Sequence, residues 1–162
     1  LFFNKGIAQA MADEDAADAI FPLPAYAYVP GETQRHPHGA FEALCATVRQ
    51  GDDPEALARS GAWQCGLRWL EHGYFWEAHE LFEPVWLTLP QNAAERQLVQ
   101  ALIQIANAGL KAKMGRRRAV ERLLAMAEGH LRACKSGGTE RLMGQSLDKI
   151  AARIELMRAA QG

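Results

Sequence analysis

Residues 73–86 read GYFWEAHELFEPVW. A helix through this stretch, at about 100° per residue, puts His79 inside an aromatic arc. Taking His79 as zero, Trp86 falls at about −20°, Phe75 at about −40°, Phe82 at about −60° and Glu83 at about +40°. Glu77, Glu80 and Pro84 fall on the other side, and Glu77 is expected to be exposed. An ionised carboxylate in apolar surroundings is costly unless it is paired or hydrogen-bonded. His79 and Glu83 stand at i and i+4, so they can touch. The pattern predicts a buried His79–Glu83 pair, with the Trp86 N–H as a donor one turn further on.

The segment that follows is apolar around most of its girth, which predicts a central helix. Its narrow polar strip holds Gln97, Gln100, Gln104, Asn107 and Lys111, mostly amides. Gln100, Gln104 and Asn107, with Glu80, are the expected partners of the motif in a buried polar network. A partly solvated strip is the alternative.

Working outward, helices are predicted at 39–50, 54–71, 74–88, 93–114, 116–136 and 140–160. Gly51-Asp52-Asp53-Pro54 combines a helix stop, a cap and a helix-starting proline. Residues 90–92, 114–115 and 136–139 punctuate the rest, and no alternating β-branched run appears. The predicted class is all-α, a compact bundle of about five to six antiparallel helices. Residues 21–38, FPLPAYAYVPGETQRHPH, hold four prolines and no helical period. With Phe21, Tyr26 and Tyr28 they predict an extended aromatic arm lying over the domain. Residues 1–10 are read as an upstream or vector-derived segment, 11–38 as an acidic start plus the arm, and 39–162 as a single helical domain. Gly66, Trp69, Ala78, Phe82, Val85 and Pro90 fit one tetratricopeptide-type hairpin. The pattern fails one repeat later, at Gln100 and Arg116, so no array is predicted.

The chain has 162 residues, enough for one core. Its three cysteines include no CxxC pair. They argue against a disulfide scaffold and fit a reducing, cytoplasmic setting. No run approaches the length of a membrane-spanning helix. The net charge is −1, yet residues 1–110 carry −8 and residues 111–162 carry +7. Lys111, Lys113, Arg116, Arg117, Arg118 and Arg122 form a basic cluster. No aromatic residues interleave it and the pI is about 6.6, so nucleic acid is a disfavoured partner. A homodimer suits the apolar helices and the arm.

Several chemistries fail on spacing. His79-Glu80 begins like H-E-x-x-H, but Glu83 stands where the second histidine should be, and Pro84 follows it. No E-x-x-H pair of a di-iron bundle is present. No phosphate loop, nucleophile elbow or dinucleotide fingerprint occurs. His79 and Glu83 are the candidate metal ligands, but two ligands are too few for a structural site. No cofactor is predicted, and a divalent metal there is the single alternative. Arg35-His36-Pro37-His38 either delivers a side chain to the motif or forms a surface turn, and the turn is the expectation. His130 is read as structural.

His79, Glu83 and Trp86 spell H-x-x-x-E-x-x-W. With Gly73-Tyr74-Phe75, Glu77-Ala78 and the Gln100–Gln104 segment, this resembles the prokaryotic family called domain of unknown function 309, over roughly residues 60–130. The resemblance implies a compact all-α domain. It implies His79, Glu83 and Trp86 as the hallmark set, often with the glutamate now at Glu80, and no established reaction, substrate or cofactor. Pro84 departs from the pattern and is expected to kink the helix.

The functional expectation is a binding or interaction domain whose motif is mainly architectural. One alternative is a hydrolase, metal-dependent or not, with His79 as base or ligand and Glu83 as its orienter. Another is an RNA-associated factor using the basic cluster.

Overall fold

The computed structural model describes residues 21–162. The readings of residues 1–10 and of the acidic stretch 11–20 lie outside the described residues. The fold is all-α with one small hairpin. The elements run α1 (Glu42–Cys45), α2 (Pro54–Arg59), α3 (Gly61–Glu71), α4 (Phe75–Thr88), α5 (Ala94–Lys113), α6 (Arg117–Lys135), β1 (Arg141–Leu142), β2 (Gln145–Ser146) and α7 (Leu147–Ala160). No described helix is long and apolar enough to cross a membrane.

Three boundaries differ from expectation for local reasons. The helix expected over 39–50 shrinks to the four residues of α1, flanked by turns. The helix expected over 54–71 is two helices. Pro54 and the Asp53 cap start the first, the Asp53 carboxylate accepting from the Ala56 N–H at 2.8 Å. Ser60 is extended, with ψ 148°, and its hydroxyl accepts from the Trp63 N–H at 3.2 Å to start the second. The last helix begins at Leu147. Before it, Met143 and Gly144 both take left-handed φ, 48° and 77°, and turn a two-stranded hairpin. The Trp63 indole N–H donates to the Met143 carbonyl at 3.2 Å and ties the hairpin to the core.

The central helix is α5, buried from Leu98 to Gly109 except at Gln100 and Asn107. Helix α4 runs antiparallel to it and also packs on α3. Both contacts are set by glycine. A Cβ at Gly109 would lie 2.4 Å from the Phe75 ring, and one at Gly66 would lie 2.8 Å from the Phe82 ring. Helix α4 is thus clamped on two sides. Its third side is covered by the arm, residues 21–41. The Arg68 Nε donates to the Phe21 carbonyl and the Trp69 Nε1 to the Pro22 carbonyl, each at 3.2 Å. Within the arm, Thr33 Oγ1 accepts from the Val29 N–H at 2.8 Å and donates to the Ala27 carbonyl at 3.0 Å. The arm is therefore a closed loop, fastened to α3 at its start and to Glu77 of α4 further on.

Candidate functional site

The motif helix has two polar faces, and the buried one is the face expected to be exposed. Glu77 is 0% exposed, among the largest fully buried side chains. Its Oε1 accepts from the Tyr28 backbone N–H and lies 2.9 Å from His36 Nε2. Both partners come from the arm. The His36 side chain is only 8% exposed, so the expected surface turn is instead an inserted histidine. Its ring is stacked on Tyr26 at 4.5 Å and on Trp76 at 5.9 Å, with the Phe41 ring edge-on at 5.0 Å. The wheel placed Glu77 correctly, opposite His79. The core lies on both sides of the helix, because the arm covers the Glu77 side.

Of the hallmark residues, Glu83 faces outward, and Trp86 packs its apolar side against the core. The expected buried His79–Glu83 pair is not formed: His79 is half-buried and Glu83 is exposed. The nearest carboxylate oxygen to His79 Nδ1 is that of Glu80, 3.4 Å away. One ligand atom from each of His79, Glu80 and Glu83 lies within 4.8 Å of the others. Together those three could hold a metal ion. Trp86 is half-buried, and its ring face is covered by the Arg96 guanidinium at 4.1 Å. Arg96 also donates to the Leu89 carbonyl at 2.7 Å, closing the end of α4.

The amide strip does not complete the motif. Gln104 is buried, while Gln100 and Asn107 are half-buried. Among the described residues none of the three hydrogen-bonds to His79 or Glu83. The strip's one strong contact is at Gln97, whose Oε1 accepts from His130 Nδ1 at 2.8 Å. Burial holds the His130 pKa below its ordinary value. In the basic corner, Arg116, Arg117, Arg118 and Arg122 are exposed, and Lys113 donates to the Gly73 carbonyl at 2.9 Å.

Pro84 does not end α4, which continues to Thr88. Lacking an N–H, it leaves the Glu80 carbonyl without its helical donor. The Cys45 thiol, 3.7 Å away, donates there instead. Burial, then Glu80, Glu83 and Glu42, push the Cys45 thiol up from its ordinary value. Burial pushes Cys65 up to about 12 and Cys134 up to about 11. None of the three thiols is activated as a nucleophile.

Between the arm and α4 lies an open cavity of about 580 Å³. Arg35, His36 and Phe41 of the arm line one side, and Trp76 and Glu80 of α4 line the other. The cavity sits where Glu77 fastens the arm. The sequence singles out Arg35 and His36 but carries no signal that Glu77 is the partner of His36.

No curated protein and no solved structure matches the chain. Residues 63–123 do match the family model described as Domain of unknown function (DUF309), a span that covers most of α3, all of α4 and α5 and the start of α6.

Proposed function

We propose that the chain is a binding domain for a small ligand, with a motif helix that is chiefly architectural. The observation that carries this reading is the fully buried Glu77 carboxylate, held by His36 and Tyr28. Through it α4 fixes an arm of irregular backbone in one position. The cavity between them is a consequence of that fixation. Its size and its mixed aromatic and polar lining suit a small molecule. The test is a saturation-transfer NMR screen of small polar compounds against the wild type and against Ala40→Trp, which plugs the cavity. Compounds that bind the wild type and not the plugged variant support the reading. A screen whose binders are all indifferent to the plug overturns it.

A second reading, a hydrolase using His79 and Glu83, has one observation in its favour. The His79, Glu80 and Glu83 ligand atoms lie within 4.8 Å of one another, a spacing compatible with a shared divalent cation. Calorimetric titration with zinc and manganese tests it. Binding that His79→Gln abolishes supports the reading. Binding that is absent, or indifferent to that change, removes it.

A further inference from the structure

The cavity between the arm and α4 carries two carboxylates against one guanidinium, with His36 and His38 also on its lining. Glu42 and Glu80 line it beside Cys45, over the rings of Trp76 and Phe41. Among the described residues neither glutamate forms an ion pair with a lysine or arginine, and the one contact of this kind is His79 to Glu80. Burial, and then Glu80, Glu83 and Glu42, push the neighbouring Cys45 thiol up from its ordinary value. Glu77, bonded to the cavity-lining His36, is not itself on the lining; its Oε2 is buried and has no hydrogen-bond donor among the described residues. The one guanidinium on the lining, Arg35, is engaged with Tyr28. Its Nε donates to the Tyr28 hydroxyl at 3.3 Å, and its Cζ lies 5.9 Å from the Tyr28 ring centroid.

We propose that this cavity binds a small organic cation, an alkylammonium or guanidinium compound. Its charged end sits between Glu42 and Glu80, and its carbon chain lies against Trp76 and Phe41. The inference rests on the reading of the cavity as a ligand site and adds the ligand's chemistry. Carboxylates without cationic partners attract a positive charge, and aromatic faces accept one favourably. A bare divalent ion needs several ligand atoms converging on one point. The described group that converges is His79, Glu80 and Glu83, to which neither Glu42 nor Cys45 belongs. The cavity therefore fits a cation with bulk.

Agmatine, n-butanol, pentanoate and magnesium chloride, titrated separately and followed by amide and indole NMR, test the inference. Agmatine is expected to shift the Cys45, Trp76 and Glu80 signals saturably. Glu42→Gln and Glu80→Gln are each expected to weaken it about tenfold, the loss of one charge-assisted contact. n-Butanol, pentanoate and magnesium are expected to leave those signals unmoved. The inference is overturned if agmatine causes no saturable shift, if n-butanol binds as well, or if the double glutamine variant binds agmatine unchanged. Magnesium reproducing the shifts also overturns it, in favour of a metal. Pentanoate binding that Ala40→Trp abolishes would refute the cation and leave the ligand site standing. If Ala40→Trp affects none of the probes, both fall.

Discussion

The Glu77 carboxylate lies 2.9 Å from the His36 imidazole, 41 residues earlier in the chain. One oxygen carries both hydrogen bonds, from His36 and from the Tyr28 N–H, and the other carries none among the described residues. This contact joins the arm to the motif helix. It is also the most exacting polar arrangement in the fold, because a buried carboxylate is tolerated only while its donors stay in place.

Removing the histidine should therefore cost more than neutralising the acid. His36→Ala leaves a buried charge with one donor fewer, and about 3–5 kcal/mol of stability should be lost. Glu77→Gln removes the charge and keeps an acceptor for the Tyr28 N–H, and about 1–2 kcal/mol should be lost. Urea denaturation of the two variants measures the order. A His36→Ala protein as stable as the wild type would show that the contact does not hold the arm. Limited proteolysis within residues 21–41 should be accelerated in His36→Ala before the helices are cut.

Glycine substitutions should change sign with position. Alanine normally stabilises a helix interior by about 1 kcal/mol relative to glycine. At Gly129 of α6 the added methyl meets only the flexible Arg132 guanidinium at 3.8 Å, so Gly129→Ala should stabilise. At Gly109 the methyl would fall 2.4 Å from the Phe75 ring, and at Gly66 it would fall 2.8 Å from the Phe82 ring. Those two changes should destabilise by about 1–3 kcal/mol through overpacking. Thermal melts of the three single variants separate the cases. Equal shifts at all three would mean that α4 is not clamped by close approach.

Stability should fall on mild acidification, and His130 should account for part of the fall. Burial holds its pKa below the ordinary histidine value of 6.5, so the folded protein binds its proton later than the unfolded chain does. Its contribution is complete above pH 6.5 and is lost as pH drops from there through the lower, folded value. In the neutral ring the proton belongs on Nδ1, which then donates to Gln97 Oε1. His130→Gln should flatten the stability profile between about pH 5 and 7 while lowering the value at pH 7. Unfolding midpoints in that range check the slope. An unchanged slope would mean that another group carries the acid sensitivity.

Much of the architecture was legible because it depends on local signals. The girth of apolar residues in α5 placed it at the centre, and Asp53-Pro54 announced α2. The site was less legible, and the reason is geometric. A helical wheel gives directions relative to one residue but does not say which directions are covered. His79 and Glu77 were correctly set on opposite sides. The aromatics drew the core to the His79 side, although the arm buries the Glu77 side. The contact starts from His36 on irregular backbone and reaches across 41 positions, and no periodicity reports such a meeting. Ser60 split a helix for a similar reason: its own hydroxyl offered a second cap inside an unbroken helical pattern.

Pro84 and Cys45 should prove coupled. Proline in a helix interior costs about 3 kcal/mol relative to alanine, partly through the lost hydrogen bond to residue i−4. Here that carbonyl belongs to Glu80, and the Cys45 thiol donates to it across the α1–α4 contact. Pro84→Ala restores a helical N–H at the same carbonyl and should stabilise by about 1–2 kcal/mol, less than the full cost because proline also restricts the unfolded chain. Cys45→Ala in the wild-type background should cost about 0.5–1 kcal/mol for the lost bond alone. In the Pro84→Ala background the helix supplies the donor, and that loss should nearly vanish. A double-mutant cycle by chemical denaturation gives the coupling directly. Strict additivity of the two changes would mean that the thiol does not stand in for the missing helical donor.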